Sequence, residues 1–372
     1  MTRSITVLNP GALSLVQDAG RTGYQGYGVS VSGAMDPEAL FIGNHLIGND
    51  SGAAVIEVTF GGAEFRFETE LVAAITGGDL QPSLDGTPLD TWETFVAPSG
   101  SVLRFGVPVE GLRAYLCVEG GIDVPPVLGS RSTHVSSRIG GLAGAPLSAG
   151  DSLPVGGRGT GANPGNALPA ELRNSTPGEI TIRVVRGPQY SSFTDGGVGT
   201  FLSSAYTVSD KSDRQGLRLD GPIIETIGGK YDIVSDAVVF GSVQVPGDGR
   251  PIVLMADRQT TGGYAKIATV VSVDLSLLAQ APPGAVMRFE EISMQQAQSL
   301  LRQSRSTLLD TDFRSGLRST SESINLGGAA WQMDLKFRPF KISSPNGGMV
   351  AVSTPDGNLT VRVAEVPGST VQ

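Results

Sequence analysis

Apolar residues in the first third of the chain come in short runs, each closed by glycine, proline or small polar residues. Residues 5–8, 13–16, 55–60, 63–67, 71–75, 92–96, 101–105 and 113–118 are such runs. They are too short for ordinary helices and carry many β-branched and aromatic side chains, so they predict strands. Gly77 with Gly78, Asp85 with Gly86, Ser99 with Gly100, and Gly120 with Gly121 supply the turn signals between them. Strands of this length at near-regular spacing predict a sandwich or barrel. A second β unit opens at residues 181–185 and continues through 217–221, 251–255 and 267–273.

Two stretches break this pattern with helical signals. Asp36 is a cap residue, Pro37 suits the first helical position, and Glu38 favours the positive end of the helix dipole. Leu40, Phe41, Asn44 and Ile47 follow at helical spacing, and Gly48 is the predicted stop. Ser293 and Gln296 form a capping box ahead of Ala297, Leu300 and Leu301, which predicts a short helix. Residues 156–178 are rich in Gly, Pro and Ala and read as a linker or long surface loop. The expected organisation is an N-terminal β domain over 1–155, that linker, a C-terminal β domain over 179–305, and an extension over 306–372. The extension has no assigned role.

Length supports this division, because 372 residues exceed what one hydrophobic core usually spans. A net charge of −9 argues against nucleic acid and against an anionic membrane surface. No apolar run is long enough to cross a bilayer and no leader pattern opens the chain, so a soluble, cytoplasmic protein is expected. Cys117 is the single cysteine and lies in an apolar run, where a buried, inert thiol is expected. The two histidines, His45 and His134, are far apart in sequence, and no metal site is predicted. His134 lies in a polar run suited to binding an anion. No Gly-x-x-x-x-Gly-Lys-Ser/Thr motif is present, so a P-loop is absent.

The densest polar chemistry lies at residues 257–266. Asp257, Arg258, Gln259, Thr260, Thr261, Tyr264 and Lys266 surround Gly262 and Gly263 between two apolar runs. The paired glycines are read as letting the backbone approach a ligand and take positive φ. Arg258 has the planar fork for a carboxylate, and Lys266 is a point charge for a developing oxyanion. Asp257 either orients Arg258 in a structural pair or acts as a base. Gln244, Gln259, Thr260 and Tyr264 are candidates for reading amide groups. Two further loops share the Asp/Arg/Gly composition: residues 18–27, with Asp18 and Arg21, and residues 209–216, with Asp213 and Arg214.

The run Gln-Val-Pro-Gly-Asp-Gly from Gln244, the strand Pro-Ile-Val-Leu from Pro251, and Asp-Arg-Gln-Thr-Thr-Gly-Gly-Tyr from Asp257 with Lys266 resemble one signature. So do Asp-Ala-Gly-Arg from Asp18 and Ser-Gly-Ala-Met-Asp from Ser32. The signature is that of the biotin-dependent carboxyltransferase / allophanate hydrolase subunit 2 family, which takes in the C-type subunits of 5-oxoprolinase and kinase-inhibitor antagonist proteins. The resemblance covers about residues 5–300. It implies a mainly β fold of two cyclophilin-like β-barrel domains with a few short helices. It also implies a subunit-1-type partner (the B-type 5-oxoprolinase protein) and ATP-dependent opening of 5-oxo-L-proline to glutamate. ATP is the implied cofactor, with a partner subunit open as its site, and a phosphorylated lactam is the implied intermediate. The catalytic candidates are Asp257, Arg258 and Lys266. The substrate-binding candidates are Gln244, Gln259, Thr260, Gly262, Gly263, Tyr264, Asp18 and Arg21. An allophanate hydrolase or urea-carboxylase-like component, and a non-enzymatic regulator, are the alternatives. Residues 342–350 faintly resemble a biotin-carrier hairpin, but the Ala-Met-Lys-Met site is absent, so biotin is not expected on this chain.

Overall fold

A computed structural model of the chain describes residues 3–157, 164–173 and 178–311. It also describes the strand backbones at 320–326, 329–335, 341–343, 349–354 and 357–362. The chain forms one compact unit over Met1–Phe313 and a second over Arg314–Gln372.

The N-terminal half of the first unit contains β1 (Ser4–Pro10), β2 (Leu13–Gln17), β3 (Val55–Thr59), β4 (Ala63–Phe67), β5 (Leu71–Asp79), β6 (Ser83–Leu84), β7 (Thr87–Pro88), β8 (Thr94–Ala97), β9 (Val102–Arg104), β10 (Glu110–Val118) and β11 (Ser152–Pro154). They build a six-stranded sheet in the order β11-β1-β4-β9-β6-β7 and a five-stranded sheet in the order β2-β3-β10-β5-β8. Period-2 burial in β4 points Ala63, Phe65 and Phe67 at the second sheet, where they share a core with Ile56, Val58, Ala73, Ile75, Ala114 and Leu116. On β10 the alternate residues Tyr115 and Cys117 face the other way. There they pack with Leu40, Ile42 and Leu46 of helix α1 (Pro37–Leu46). A strand covered on both faces reads as one continuous apolar run, as residues 113–118 do. The cap on α1 is the expected one: Asp36 accepts from the Ala39 N–H at 3.0 Å, with Pro37 at the first position. Gly77 and Gly78 do not end β5 but lie inside it, opposite a register shift in β10. A Cβ on Gly77 would collide with the Arg113 carbonyl, so the close approach of strands requires glycine there.

The second half contains β12 (Glu179–Arg186), β13 (Tyr206–Val208), β14 (Gly216–Asp220), β15 (Asp232–Ala237), β16 (Ser242–Gln244), β17 (Ile252–Leu254), β18 (Thr261–Tyr264), β19 (Lys266–Val270) and β20 (Val286–Glu291). Seven of them close a barrel in the order β12-β19-β16-β17-β14-β13-β20, while β15 and β18 pair separately as a two-stranded ribbon. Ile180, Ile182, Val184, Leu217, Val243, Val253, Ile267 and Phe289 fill the barrel core. Phe201 of α2 (Asp195–Ser203) and Leu278 of α3 (Leu275–Gln280) join them. The mainly β expectation is met. Closure is seen in the second half; among the described residues the first half is two packed sheets, with α1 on the outer face of the second.

Within 156–178, residues 164–173 pack on the N-terminal half, with Ala167 and Leu168 buried and the Asn166 amide donating to the Leu46 carbonyl. Residues 158–163 and 174–177 lie outside the described residues. The capping box at Ser293 and Gln296 is present, and α4 (Met294–Asp310) is longer than the apolar pattern suggests. In the second unit, β21 (Thr320–Leu326), β22 (Ala329–Leu335) and β23 (Lys341–Ser343) form one sheet; β24 (Met349–Thr354) and β25 (Gly357–Arg362) pair as a hairpin. The centre of the hairpin-like run at 342–350, residues 344–348, lies outside the described residues. Among the described residues no helix is long and apolar enough to cross a membrane.

Candidate functional site

The two halves of the first unit meet through buried charge. Arg214, from the loop before β14, donates from Nε to Asp257 Oδ2 at 2.9 Å and from Nη2 to the Gly33 carbonyl at 2.6 Å. Its Nη1 bonds Glu57 of β3. Glu57 also accepts from the Met35 N–H at 2.8 Å and the Tyr115 hydroxyl at 2.9 Å. Burial works against the Arg214 charge, yet Glu57 and Asp257 outweigh it and raise the guanidinium above its ordinary pKa. Asp257 Oδ1 accepts from the Ser32 hydroxyl at 2.7 Å and from Arg214 Nη2 at 3.1 Å. Ser30 donates to the Arg258 carbonyl at 2.8 Å. The N-terminal stretch Ser30–Met35 is thus stitched to the barrel loop at Asp257, and Met35 itself sits in the barrel core.

Beside this junction lies the first Asp/Arg/Gly loop. Asp18 accepts from the Gly20 N–H at 2.8 Å, from the Ser130 and Ser132 hydroxyls, and from the Arg131 N–H at 2.6 Å. Arg21 is 1% exposed. Its Nη2 donates to the Ser132 carbonyl, while Nε and Nη1 have no partner among the described residues. Burial lowers its pKa, opposed by the fields of Asp18 and Asp257. The three Asp/Arg/Gly loops, separate in sequence, therefore converge: one brings Asp18 and Arg21, one Arg214, one Asp257.

The second cluster lines the edge of the barrel. Lys266, the first residue of β19, is 2% exposed, and its Nζ donates to Asp236 Oδ2 on the ribbon at 2.9 Å. Gln189 Nε2 donates to the same oxygen at 3.1 Å, and its Oε1 accepts the Lys266 main-chain N–H at 3.2 Å. These bonds, Lys266 first, hold the Asp236 carboxyl below the usual carboxylate range. Gln244 pairs in register with Lys266; its Oε1 accepts a long bond from Gln259 at 3.4 Å, and its Nε2 reaches the Tyr264 carbonyl at 3.5 Å. Tyr264 and Gln259 are exposed and Thr260 half-buried, so the amide and phenol groups line an open edge.

Several expectations change in detail. Gly262 and Gly263 are not in a loop; they lie within β18, and neither has positive φ. Glycine at 262 makes room for a side chain instead: a Cβ there would meet the end of the Gln244 amide. Asp257 pairs with Arg214 rather than Arg258, and both its oxygens are engaged, which is the geometry of an anchor and not of a free base. Arg258 is buried, donates to the Met255 carbonyl at 3.3 Å, and lies over the Phe240 ring at 5.5 Å. Its fork holds its own loop rather than facing outward. Burial lowers its pKa, with Asp257 opposing. Cys117 is buried and its thiol is pushed up to about 12, in keeping with an inert thiol. His134 Nδ1 accepts from the Ser137 N–H at 3.3 Å, and its buried Nε2 has no partner among the described residues.

Sequence reasoning missed Glu57, Ser32, Arg214, Asp236 and Gln189 as members of these clusters. Arg214 carried a signal, because its loop repeats the Asp/Arg/Gly composition. Asp236 and Gln189 carried none: one is an acid on an exposed strand, the other a glutamine in a turn.

The carboxyltransferase domain model, subdomains A and B, matches residues 27–291, a span that includes both clusters except Asp18 and Arg21. The chain is 38% identical over 293 residues to the C subunit of Escherichia coli 5-oxoprolinase, covering 79% of this chain and 93% of that protein. It is 36% identical over 298 residues to the C subunit of Haemophilus influenzae 5-oxoprolinase, covering 80% and 94%. The crystal structure of the Kluyveromyces lactis urea amidolyase superposes with a TM-score of 0.78 at 29% identity, covering 83% of this chain and 20% of that much longer one.

Proposed function

This chain belongs to the carboxyltransferase family of subdomains A and B, and we propose that it works as the C-type subunit of a 5-oxoprolinase, a hydrolase opening a lactam C–N bond. The observation that carries the reading is identity sustained over more than nine-tenths of the two 5-oxoprolinase proteins. The geometry supports it through the barrel-edge cluster. Addition to a lactam carbonyl concentrates negative charge on oxygen, and a buried ammonium held by hydrogen bonds stabilises such charge without reorganisation. Lys266 is that ammonium. Gln244, Gln259 and Tyr264 present amide and phenol groups that match the N–H and C=O of a lactam. Asp18, Arg21, Asp257 and Arg258 hold the junction that fixes the loop carrying Gln259. Arg21, with two guanidinium nitrogens that have no partner among the described residues, is the member of that junction proposed to bind substrate.

ATP enters the reading through the whole enzyme and not through a step assigned to this chain. The sequence has no phosphate-binding P-loop, and among the described residues no group of three or more His, Cys, Asp or Glu is placed to hold a metal ion. Activation of the lactam by ATP is assigned to a nucleotide geometry other than a P-loop or to a partner subunit, a subunit-1-type (B-type) protein first among them, and the working enzyme is read as a heteromer in the cytoplasm. The likeness to urea amidolyase favours a second reading, an acyclic urea-derived amide as substrate.

The test is ATP hydrolysis and glutamate release by this chain mixed with its partner subunits, supplied with 5-oxoproline, urea or allophanate in turn. Stimulation by 5-oxoproline alone supports the first reading. Stimulation by urea or allophanate moves the assignment to the second, and a stable but inactive complex with all three overturns both.

A further inference from the structure

We infer that Asp236 and Gln189 are positioning residues for Lys266, a closed three-residue ring that aims its ammonium at the substrate. This rests on the reading of Lys266 as the group that meets the substrate oxygen.

The three residues come from three elements that sequence keeps apart. Lys266 opens barrel strand β19. Asp236 lies on β15, in the ribbon outside the barrel, where a register shift after Asp232 brings it opposite Gly262. Gln189 follows β12. Its main-chain N–H donates to the Lys266 carbonyl at 3.3 Å, its Oε1 accepts the Lys266 N–H, and its Nε2 donates to Asp236. Gln189 is therefore tied to the Lys266 backbone at two points, and through its third bond it fixes the carboxylate that receives the Lys266 Nζ.

The burial is asymmetric. The Lys266 side chain is 2% exposed and the Asp236 side chain 49%. An ordinary surface pair has both ends in water and contributes little. Here the ammonium is withdrawn and its counter-ion stands at the solvent boundary, so the carboxylate serves to hold a desolvated cation in place. A lysine side chain has about 2 kcal/mol of rotamer entropy to lose, and among the described residues Asp236 is the carboxylate paired with this one. The side chains of Gln244, Gln259 and Tyr264 carry no carboxylate. Gly262, across from Asp236, leaves room for the Gln244 amide, whose residue pairs in register with Lys266.

The experiment uses the assembled enzyme with D236A, D236N, D236E, K266A and the double variant D236A/K266A. D236A is expected to lower kcat about tenfold or more while KM stays within about threefold, because a misaimed transition-state contact costs kcat. D236E restores part of the loss and D236N falls between. The loss is expected to vanish in the K266A background. Retained kcat in D236A, or an undiminished loss in the double variant, overturns the inference. Positioning is also read without turnover, in the free chain, from the 13Cε and 15Nζ signals of Lys266, one of five lysines. A dispersed Lys266 signal in the wild type that collapses toward free lysine in D236A and Gln189→Leu supports positioning; a signal already at the free-lysine position overturns it. Full turnover by K266A would sink the assignment of Lys266 in the mechanism, and the lysine signal would then decide the positioning by itself.

Discussion

Lys266 and Arg214 are both buried cations, yet they hold opposite places in the molecule. Lys266 has one half-exposed carboxylate partner, so its removal leaves Asp236 free to take up water. Lys266→Ala is therefore expected to cost about 1 kcal/mol of stability and about 10²–10³ in kcat, measured by urea unfolding and by turnover in the complex. Arg214 has two buried carboxylates, and its loss strands both. Arg214→Ala is expected to destabilise by about 3–5 kcal/mol, seen as a lower urea midpoint. Asp236 adds a dependence on pH with a definite sign. Lys266 and Gln189 depress its pKa in the folded state, so its contribution is complete above the ordinary Asp value of about 3.9 and is lost as pH falls below it. The Tm difference between wild type and D236N is expected to shrink as the pH is lowered through that range.

Elements set how these residues are presented. The β15–β18 ribbon hangs outside the closed barrel, and its β18 edge is shaped by Gly262. In Gly262→Ala the new Cβ meets the far end of a flexible glutamine, which can swing aside. Stability should fall by less than about 1 kcal/mol, while turnover falls several-fold as the Gln244 amide leaves its place beside Tyr264 and Gln259. Equal turnover at reduced stability would remove Gln244 from the site. Helix α1 was legible from its cap, since Asp36, Pro37 and Glu38 act on their own first turn. The ribbon was not legible, because residues 261–264 carry two glycines and read as a loop. They become a strand only because β15, more than twenty residues earlier, offers them a partner.

At the scale of the molecule, Met1–Phe313 and Arg314–Gln372 divide as separate compact units. A chain ending at Phe313 is expected to keep the cooperative unfolding and turnover of the full protein, because α4 ends at Asp310. Insolubility of that chain would show that the second unit supports the first. The halves of the first unit are bound by Arg214, Glu57 and Asp257 and by Met35 in the barrel core. Gln280 of α3 adds a third tie, with Oε1 accepting the Leu112 and Arg113 N–H groups at 3.0 and 2.9 Å.

Hydrophobic period and helix caps, which act within a few residues, were enough to establish the β-rich class, most strands of the first half and the two helix starts. They also marked the polar stretch from Asp257 to Lys266. Which charges meet is a matter of the tertiary fold. Glu57 and Arg214 are 157 residues apart, and no local pattern distinguishes the carboxylate that will face a given guanidinium. The same holds for Lys266: its partner Asp236 arrives through the pairing of β15 with β18, which no local pattern announces.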